Sequence, residues 1–422
     1  MMLGAIFVGQ IHGRIGLRAS LVVACVFAIA GIITEQVCKN AAQFLGAKCL
    51  AGFGYGIQTA LGIMTIPEYA PTRLRGPLGA CLNTFILFGG WLADGVLTGT
   101  GQVYPDSSRA YQIPFALQYL FVAILVIGLV FVPESASYHL RRDDVLGAKE
   151  ALTRLHGPQR TARIERELEL AIFSYRLDAQ NGAQSVGILE PLKKSHWRRS
   201  IIPIGLLCFQ QLVGGSFVTS YLTYFYEVAG TPDSLSLDLG MMSFSVQVVG
   251  NLVSWYAIDK LGRRYTLLVG LGSMTVALLL IGITWAVRTA ASLWCMVAFM
   301  TIWAFLYQLS IGACGYSVSA EAPAARLRSP TIGLAQALAQ VCAWAMGFAT
   351  PYMINPDEAN LGGLVGFVFS GLSALAFVFT FFFVPETSGR TLAEIDELWA
   401  EKIPVRRWKG YVKTVRPTEP RA

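Results

Sequence analysis

EYAPTRLRG at residues 68–76 and EAPAARLRS at residues 321–329 decide the fold. Each opens on a glutamate and closes on Arg-Leu-Arg plus a small residue, and the two lie 253 positions apart. Two further pairs keep nearly the same distance. GRIGLR at 13–18 returns as DKLGRR at 259–264, an offset of 246, and PES at 133–135 returns as PET at 385–387, an offset of 252. Three pairs in one order at one spacing are the mark of an internal duplication. The chain therefore reads as two related halves.

Working outward from these motifs, each sits at the end of an apolar run. Ten such runs are expected: 19–36, 43–66, 78–100, 113–132, 200–227, 237–258, 264–287, 292–318, 329–353 and 362–384. A bilayer crossing needs about 20 apolar residues. Of the 422 residues 54% are hydrophobic and 14% charged, against roughly 25% charged in an ordinary soluble domain. That balance argues against a cytosolic enzyme, a disordered chain or a small secreted domain. It fits an all-α membrane protein. Frequent glycines, as in GFGYG at 52–56 and GGWLADG at 89–95, allow close helix approach.

No catalytic pattern emerges. The eight cysteines include no CxxC pair and read as small hydrophobes. The four histidines lie in polar segments without metal-ligand spacing, and neither a GxSxG elbow nor a phosphate loop is present. The expectation is no enzyme, no metal and no cofactor. The opening MMLGAIFVGQ is apolar but too short to span and lacks the basic start of a signal peptide.

Charge fixes the orientation. If the loop at 12–18 faces the cytoplasm, alternation places 67–77, 133–199, 259–264, 319–328 and 385–422 on the same side. Those segments hold 29 of the 33 Lys and Arg; the opposite loops hold Lys39, Arg109 and Arg288, and Lys48 lies inside a run. This is the positive-inside asymmetry, so the net charge of +7 does not call for a nucleic-acid partner. The expected units are a first half at 1–132, a cytoplasmic linker with short surface helices at 133–199, a second half at 200–384 and a basic cytoplasmic tail at 385–422. Shifting the second half's first two spans back by about 250 positions places them before residue 8. The expectation is two six-helix halves in which span 1 and most of span 2 are absent, leaving about ten complete spans.

These residues resemble the sugar-porter branch of the major facilitator superfamily, from Gly9 to about Trp399. Its loop pattern G-x-x-x-D-R-x-G-R-R is degraded in GRIGLR and intact in Asp259-Lys-Leu-Gly-Arg-Arg264. E-x-x-P-x-x-x-R-G matches Glu68, Pro71, Arg75 and Gly76. PESPR becomes PESAS at 133–137, and PETKGR becomes PETSGR at 385–390. YQIPFALQ at 111–118 and GYSVSAEAPAARLR at 315–328 are similar to fungal α-glucoside (maltose-type) permeases.

The resemblance implies a major facilitator fold and a secondary transporter of a sugar or α-glucoside, with proton symport by alternating access. It implies sugar and protons as partners, a monomer in the lipid bilayer, and a plasma-membrane location with both termini cytoplasmic in the full-length form. Arg14, Glu68, Arg75, Glu134, Asp259, Arg263, Arg264, Glu321, Arg328 and Glu386 are the expected cytoplasmic gate. Their ion pairs would hold the inner sides of the halves together, although plain interfacial anchoring is the alternative. The seventh-span pattern Q-Q-x-x-G-x-N-x-x-x-Y-Y points to Gln210, Gln211, Ser216 and Tyr221 as substrate contacts. Tyr316 stands where hexose carriers place the Trp of GPxPW. The two amides could instead bond neighbouring helices. In proton-coupled members an Asp in span one pairs with an Arg in span four. Lys48 occupies the span-four position here, and as a membrane-embedded cation it needs an acid. Asp94 is the second coupling candidate, with snorkelling to the outer interface as its alternative. Transport of a non-sugar metabolite, or a truncated member that does not transport, are the other readings.

Overall fold

A computed structural model describes residues 1–410 except 71–73, 105–106, 141, 158, 160, 162–163, 166–167, 170, 173–186, 194–195, 229–232, 325–326, 356, 391 and 402. Among the described residues there are helices and turns and no strand. The first half contains α1 (Met2–Val37), α2 (Ala41–Tyr69), α3 (Arg75–Val103) and α4 (Arg109–Phe131). The connection carries α5 (Ala136–Leu140) and α6 (Val145–His156). The second half contains α7 (Trp197–Leu212), α8 (Gly215–Val228), α9 (Asp233–Lys260), α10 (Arg263–Val287), α11 (Ala290–Tyr307), α12 (Ala313–Glu321), α13 (Arg328–Ile354) and α14 (Val365–Phe383). A short α15 (Leu392–Ala400) follows.

Nine helices among the described residues are long and apolar enough to cross a membrane. The expected crossing at 237–258 is not among them, although α9 is 28 residues long. Its buried face carries Ser243, Gln247, Asn251 and Ser254, which lower its hydropathy. Gln247 and Asn251 accept hydrogen bonds from Gln308 and Thr84 on other helices, and Ser254 donates to the Asn251 carbonyl of its own helix; such pairing is how polar residues survive at membrane depth. Large apolar side chains lie outside instead: Phe131 is 80% exposed and Phe85 73%. In a bilayer those surfaces face lipid, and the backbone is satisfied within each helix.

Three breaks shape the helices. α1 turns at Gly16, where φ is 85° and ψ 176°. The same turn recurs at Gly262, with φ 90° and ψ 163°, immediately before α10. This region of backbone space is essentially restricted to glycine. The duplicated motif thus encodes a duplicated turn. α7 and α8 are separated at Val213 and Gly214. α11 passes through a π-helical segment, Gln308–Gly312, into α12, a distortion that is frequent at functional sites.

The halves share one apolar core at their interface. Ala5, Val8 and Leu61 from the first half cluster with Leu207, Ile332 and Ala335 from the second. There α1 and α13 come together without side chains between them: a Cβ on Gly9 would lie 3.1 Å from the Gly333 Cα. In the linker, α6 is capped by Asp144, which accepts a hydrogen bond from the Gly147 amide. That amide, with the His139 ring, holds the Asp144 carboxyl below its usual range.

Candidate functional site

The cytoplasmic motifs form two layers. In the outer layer, Glu134 accepts hydrogen bonds from the backbone amides of Leu17 and, at 3.2 Å, Arg18. Glu386 accepts from the amides of Arg263 at 2.9 Å and Arg264 at 3.1 Å. Each carboxylate therefore caps the helix segment that starts at the glycine turn. Two unsatisfied amides and the positive end of the helix dipole favour an anion there. Capping is a role that the expectation for the PES and PET acids did not include. The hydrogen bonds described for Glu134 and Glu386 run within their own halves rather than across them.

The inner layer lies at the junction. Arg263 Nη2 meets Glu321 Oε1 at 3.2 Å, and both side chains are nearly fully buried. Glu321 Oε2 accepts from Thr387 Oγ1 at 2.6 Å. From the other half, Gly76 abuts the guanidinium: a Cβ there would lie 2.7 Å from Arg263 Nη2. Arg75 is buried within electrostatic reach of Glu321 and Arg263. Ser317 Oγ donates to the Gly76 carbonyl at 2.8 Å. Arg328 is buried at the start of α13. Arg264 turns away to the carbonyls of Phe381 and Val405, at 2.7 and 3.4 Å. Arg14 and Asp259 are exposed, and the Arg14 carbonyl accepts from Arg142 at 3.3 Å. The Glu68 side chain lies outside the described residues.

Deeper in the bundle, the Gln210 amide is committed to neighbouring helices. Its Nε2 donates to the Gly312 carbonyl at 3.1 Å, and it hydrogen-bonds Tyr316. Tyr307 in turn donates its hydroxyl to the Gln210 carbonyl at 3.0 Å. The π segment brings Gly312 to this position. Gln211, Ser216 and Tyr221 are half-buried. Gln211 has no hydrogen bond among the described residues, so of the paired amides it is the one left to accept and donate.

A polar seam between the halves escaped the sequence reading. Asn83 Nδ2 donates to Gln308 Oε1 at 2.6 Å, and Gln308 Nε2 donates to Gln247 Oε1 at 3.2 Å. Beside it, Thr84 donates to Asn251, and Trp255 Nε1 donates to Thr84 Oγ1 at 3.1 Å. Trp91 Nε1 reaches Ser245 Oγ at 3.0 Å. The seam joins α3 to α9 and to the π segment. Its signal was present: lone amides inside apolar helices are costly unless paired.

The two coupling candidates differ. Lys48 Nζ lies 3.0 Å from Glu35 Oε1, a partner on α1 that the sequence reading did not single out. Asp94 is half-buried on α3, with no hydrogen bond or ion pair among the described residues.

Repeated helical halves that meet along a buried seam define a polytopic membrane protein of major facilitator fold. The sequence profile described as "Sugar (and other) transporter" matches residues 1–399. The chain belongs to this family. Relatives include the general alpha-glucoside permease of Saccharomyces cerevisiae (strain ATCC 204508 / S288c), 29% identical over 404 residues. That match covers 94% of this chain and 65% of the permease, so the chain spans about two thirds of that relative's length. The low-affinity glucose transporter of Kluyveromyces lactis is 29% identical, with 96% of this chain and 72% of the relative covered. The proton:xylose symporter XylE, solved with 6-bromo-6-deoxy-D-glucose, superposes with a TM-score of 0.81 at 21% identity, covering 94% of this chain and 87% of that one. For inward-open XylE from E. coli the TM-score is 0.64 at 20% identity, with the same coverage. The chain is an integral, multi-pass membrane protein, and its relatives are permeases and transporters rather than enzymes.

Proposed function

We propose that this protein carries a sugar or α-glucoside of the maltose class across the plasma membrane, by alternating access and in symport with protons. The observation that carries the reading is the seam between the halves. Asn83, Gln308 and Gln247 form a buried amide chain there, with Gln210 and Tyr316 held by the π segment. Amides both donate and accept, which suits a ligand covered in hydroxyls. Gln211, Ser216 and Tyr221 are the further substrate contacts. Alternating access needs an interaction that differs between two states. The junction of Gly76, Arg75, Arg263 and Glu321 supplies one for the inward-closed state. In the full-length form both termini are cytoplasmic, and the carrier acts as a monomer. The proton gradient is its energy source, with Lys48 and Asp94 as coupling candidates.

The presence of Ser216 and Tyr316 at positions where the sugar-porter pattern has Asn and Trp favours a second reading, a non-sugar metabolite as cargo. Another relative is named only as the major facilitator-type transporter ecdD of Aspergillus rugulosus, 29% identical over 414 residues. The test is uptake of radiolabelled maltose by a transport-deficient host expressing the protein. Saturable, uncoupler-sensitive uptake is expected. Absence of uptake for maltose and for every other glycoside tried would overturn the sugar reading.

A further inference from the structure

Glu35 is a membrane-embedded acid outside every motif. It lies two residues before the end of α1, and its side chain is 1% exposed. A buried carboxylate is retained in a membrane helix only with partners, and such residues mark proton or ion pathways. Its partners come from the two helices packed against it. From α2, Lys48 Nζ stands 3.0 Å from Oε1. From α4, Gln118 Nε2 donates to Oε2 at 3.2 Å. Tyr55 of α2 then donates its hydroxyl to Gln118 Oε1 at 2.7 Å, which fixes the amide's orientation. On its own helix, Cys38 Sγ donates to the Glu35 carbonyl. Lys48 is the charged group in contact with Glu35 among the described residues.

The pair is lopsided. The Lys48 side chain is 45% exposed, whereas that of Glu35 is closed off. Lys48 also sits 5.1 Å from the ring centres of both Phe44 and Phe115. Those aromatic faces hold the ammonium whether or not the carboxylate is charged. Gln118, pinned by Tyr55, can present only its amide hydrogens to Glu35. A carboxylate oxygen accepts more strongly than an oxygen of the neutral acid, so the Gln118 bond weakens when Glu35 takes a proton. Protonation of Glu35 has a definite structural result: the ion pair and the Gln118 bond weaken together, and Lys48 stays on its rings.

We propose that Glu35 is the proton-carrying acid of this transporter, with Lys48 as its partner. The inference rests on the symport reading above and moves the acid to the helix that precedes the lysine's own. One proton adds to the Glu35 carboxylate from the outer side. No other bond forms or breaks, and Lys48 keeps its charge. The same proton leaves Glu35 to the inner side after the conformational change, and the pair reforms.

The experiment uses proteoliposomes containing the full chain, with maltose as the probe. Two quantities are read: counterflow without a pH gradient, and accumulation driven by an imposed gradient. Wild type should show both. Glu35→Gln should keep counterflow within threefold and lose accumulation at least tenfold. Because an unpaired Lys48 can disturb folding, the double variant E35Q/K48Q is measured alongside; it leaves no lone charge and should show the same split. Accumulation at the wild-type level in either variant would overturn the role of Glu35. So would parallel loss of counterflow and accumulation in the double variant, which marks a structural pair. Wild type with counterflow but no accumulation would overturn symport itself, and Glu35 with it. Wild type without counterflow would overturn maltose as cargo.

Discussion

The two cytoplasmic corners have the same backbone and different chemistry. In the second half, the Gly262 turn is followed by Arg263, whose amide is held by Glu386 and whose guanidinium meets Glu321. In the first half, the Gly16 turn is followed by Leu17, whose amide is held by Glu134. Leu17 is buried and carries no charge. Capping has survived in both copies, and the side-chain ion pair survives in one. The two functions of the motif are therefore separable. The cap shapes a half, while the arginine at the position after the glycine touches the opposite half through Gly76.

Perturbing that difference should give effects of graded size. Replacing Arg263 with Leu makes the second corner like the first. It removes the ion-pair partner of buried Glu321, leaving Arg75 as a more distant cation, and breaking a buried pair typically costs about 3–5 kcal/mol. The expected result is a large drop in thermal stability. Labelling of a Ser317→Cys variant by a membrane-impermeant maleimide from the cytoplasmic side should also rise. Unchanged labelling would remove Arg263 from the gate.

The glycine turns come next. Gly16→Ala and Gly262→Ala should each lose about 1–3 kcal/mol, because the added Cβ meets a forbidden backbone region and crowds the capping glutamate. If one costs far more than the other, the corners differ in backbone as well as chemistry. The smallest effect belongs to the caps. Glu134→Gln and Glu386→Gln each keep one acceptor oxygen, replace the other by an NH2 that cannot accept, and lose the charge, so each should cost about 1 kcal/mol. The pair should agree within error in a thermal unfolding series. A Glu386→Gln effect several times that of Glu134→Gln would show that the second cap also supports Arg263.

Much of this architecture was legible from the chain alone. Apolar runs report crossings because the bilayer sets a minimum length, and the duplicated motifs reported the two halves. α9 is expected as a crossing because 237–258 is an apolar run of crossing length, and the four buried polar residues spaced along one face escape a reading by run length. What resisted reading was partnership. Glu35 and Lys48 are 13 positions apart, and nothing local says that the turn between α1 and α2 brings them together. Gln210 was read as facing substrate, with helix bonding as the alternative. Its amide meets the Gly312 carbonyl, placed there by a π-helical turn with no clear signature in the sequence. The seam of Asn83, Gln247 and Gln308 depends on contacts between halves, which no single helix encodes.

The capping glutamates have one more consequence. Glu134 follows α4 and grips the segment of α1 beyond Gly16; Glu386 follows α14 and grips the start of α10. Each carboxylate is thus a clasp that ties the final crossing of its half back to an earlier one. A half closed in this way resists splaying when pushed. The movable surface is left to the seam, where glycine backbones and amide chains can slide or part. The two clasps turn a chain of hinged rods into a pair of stiff shells that rock on a common joint.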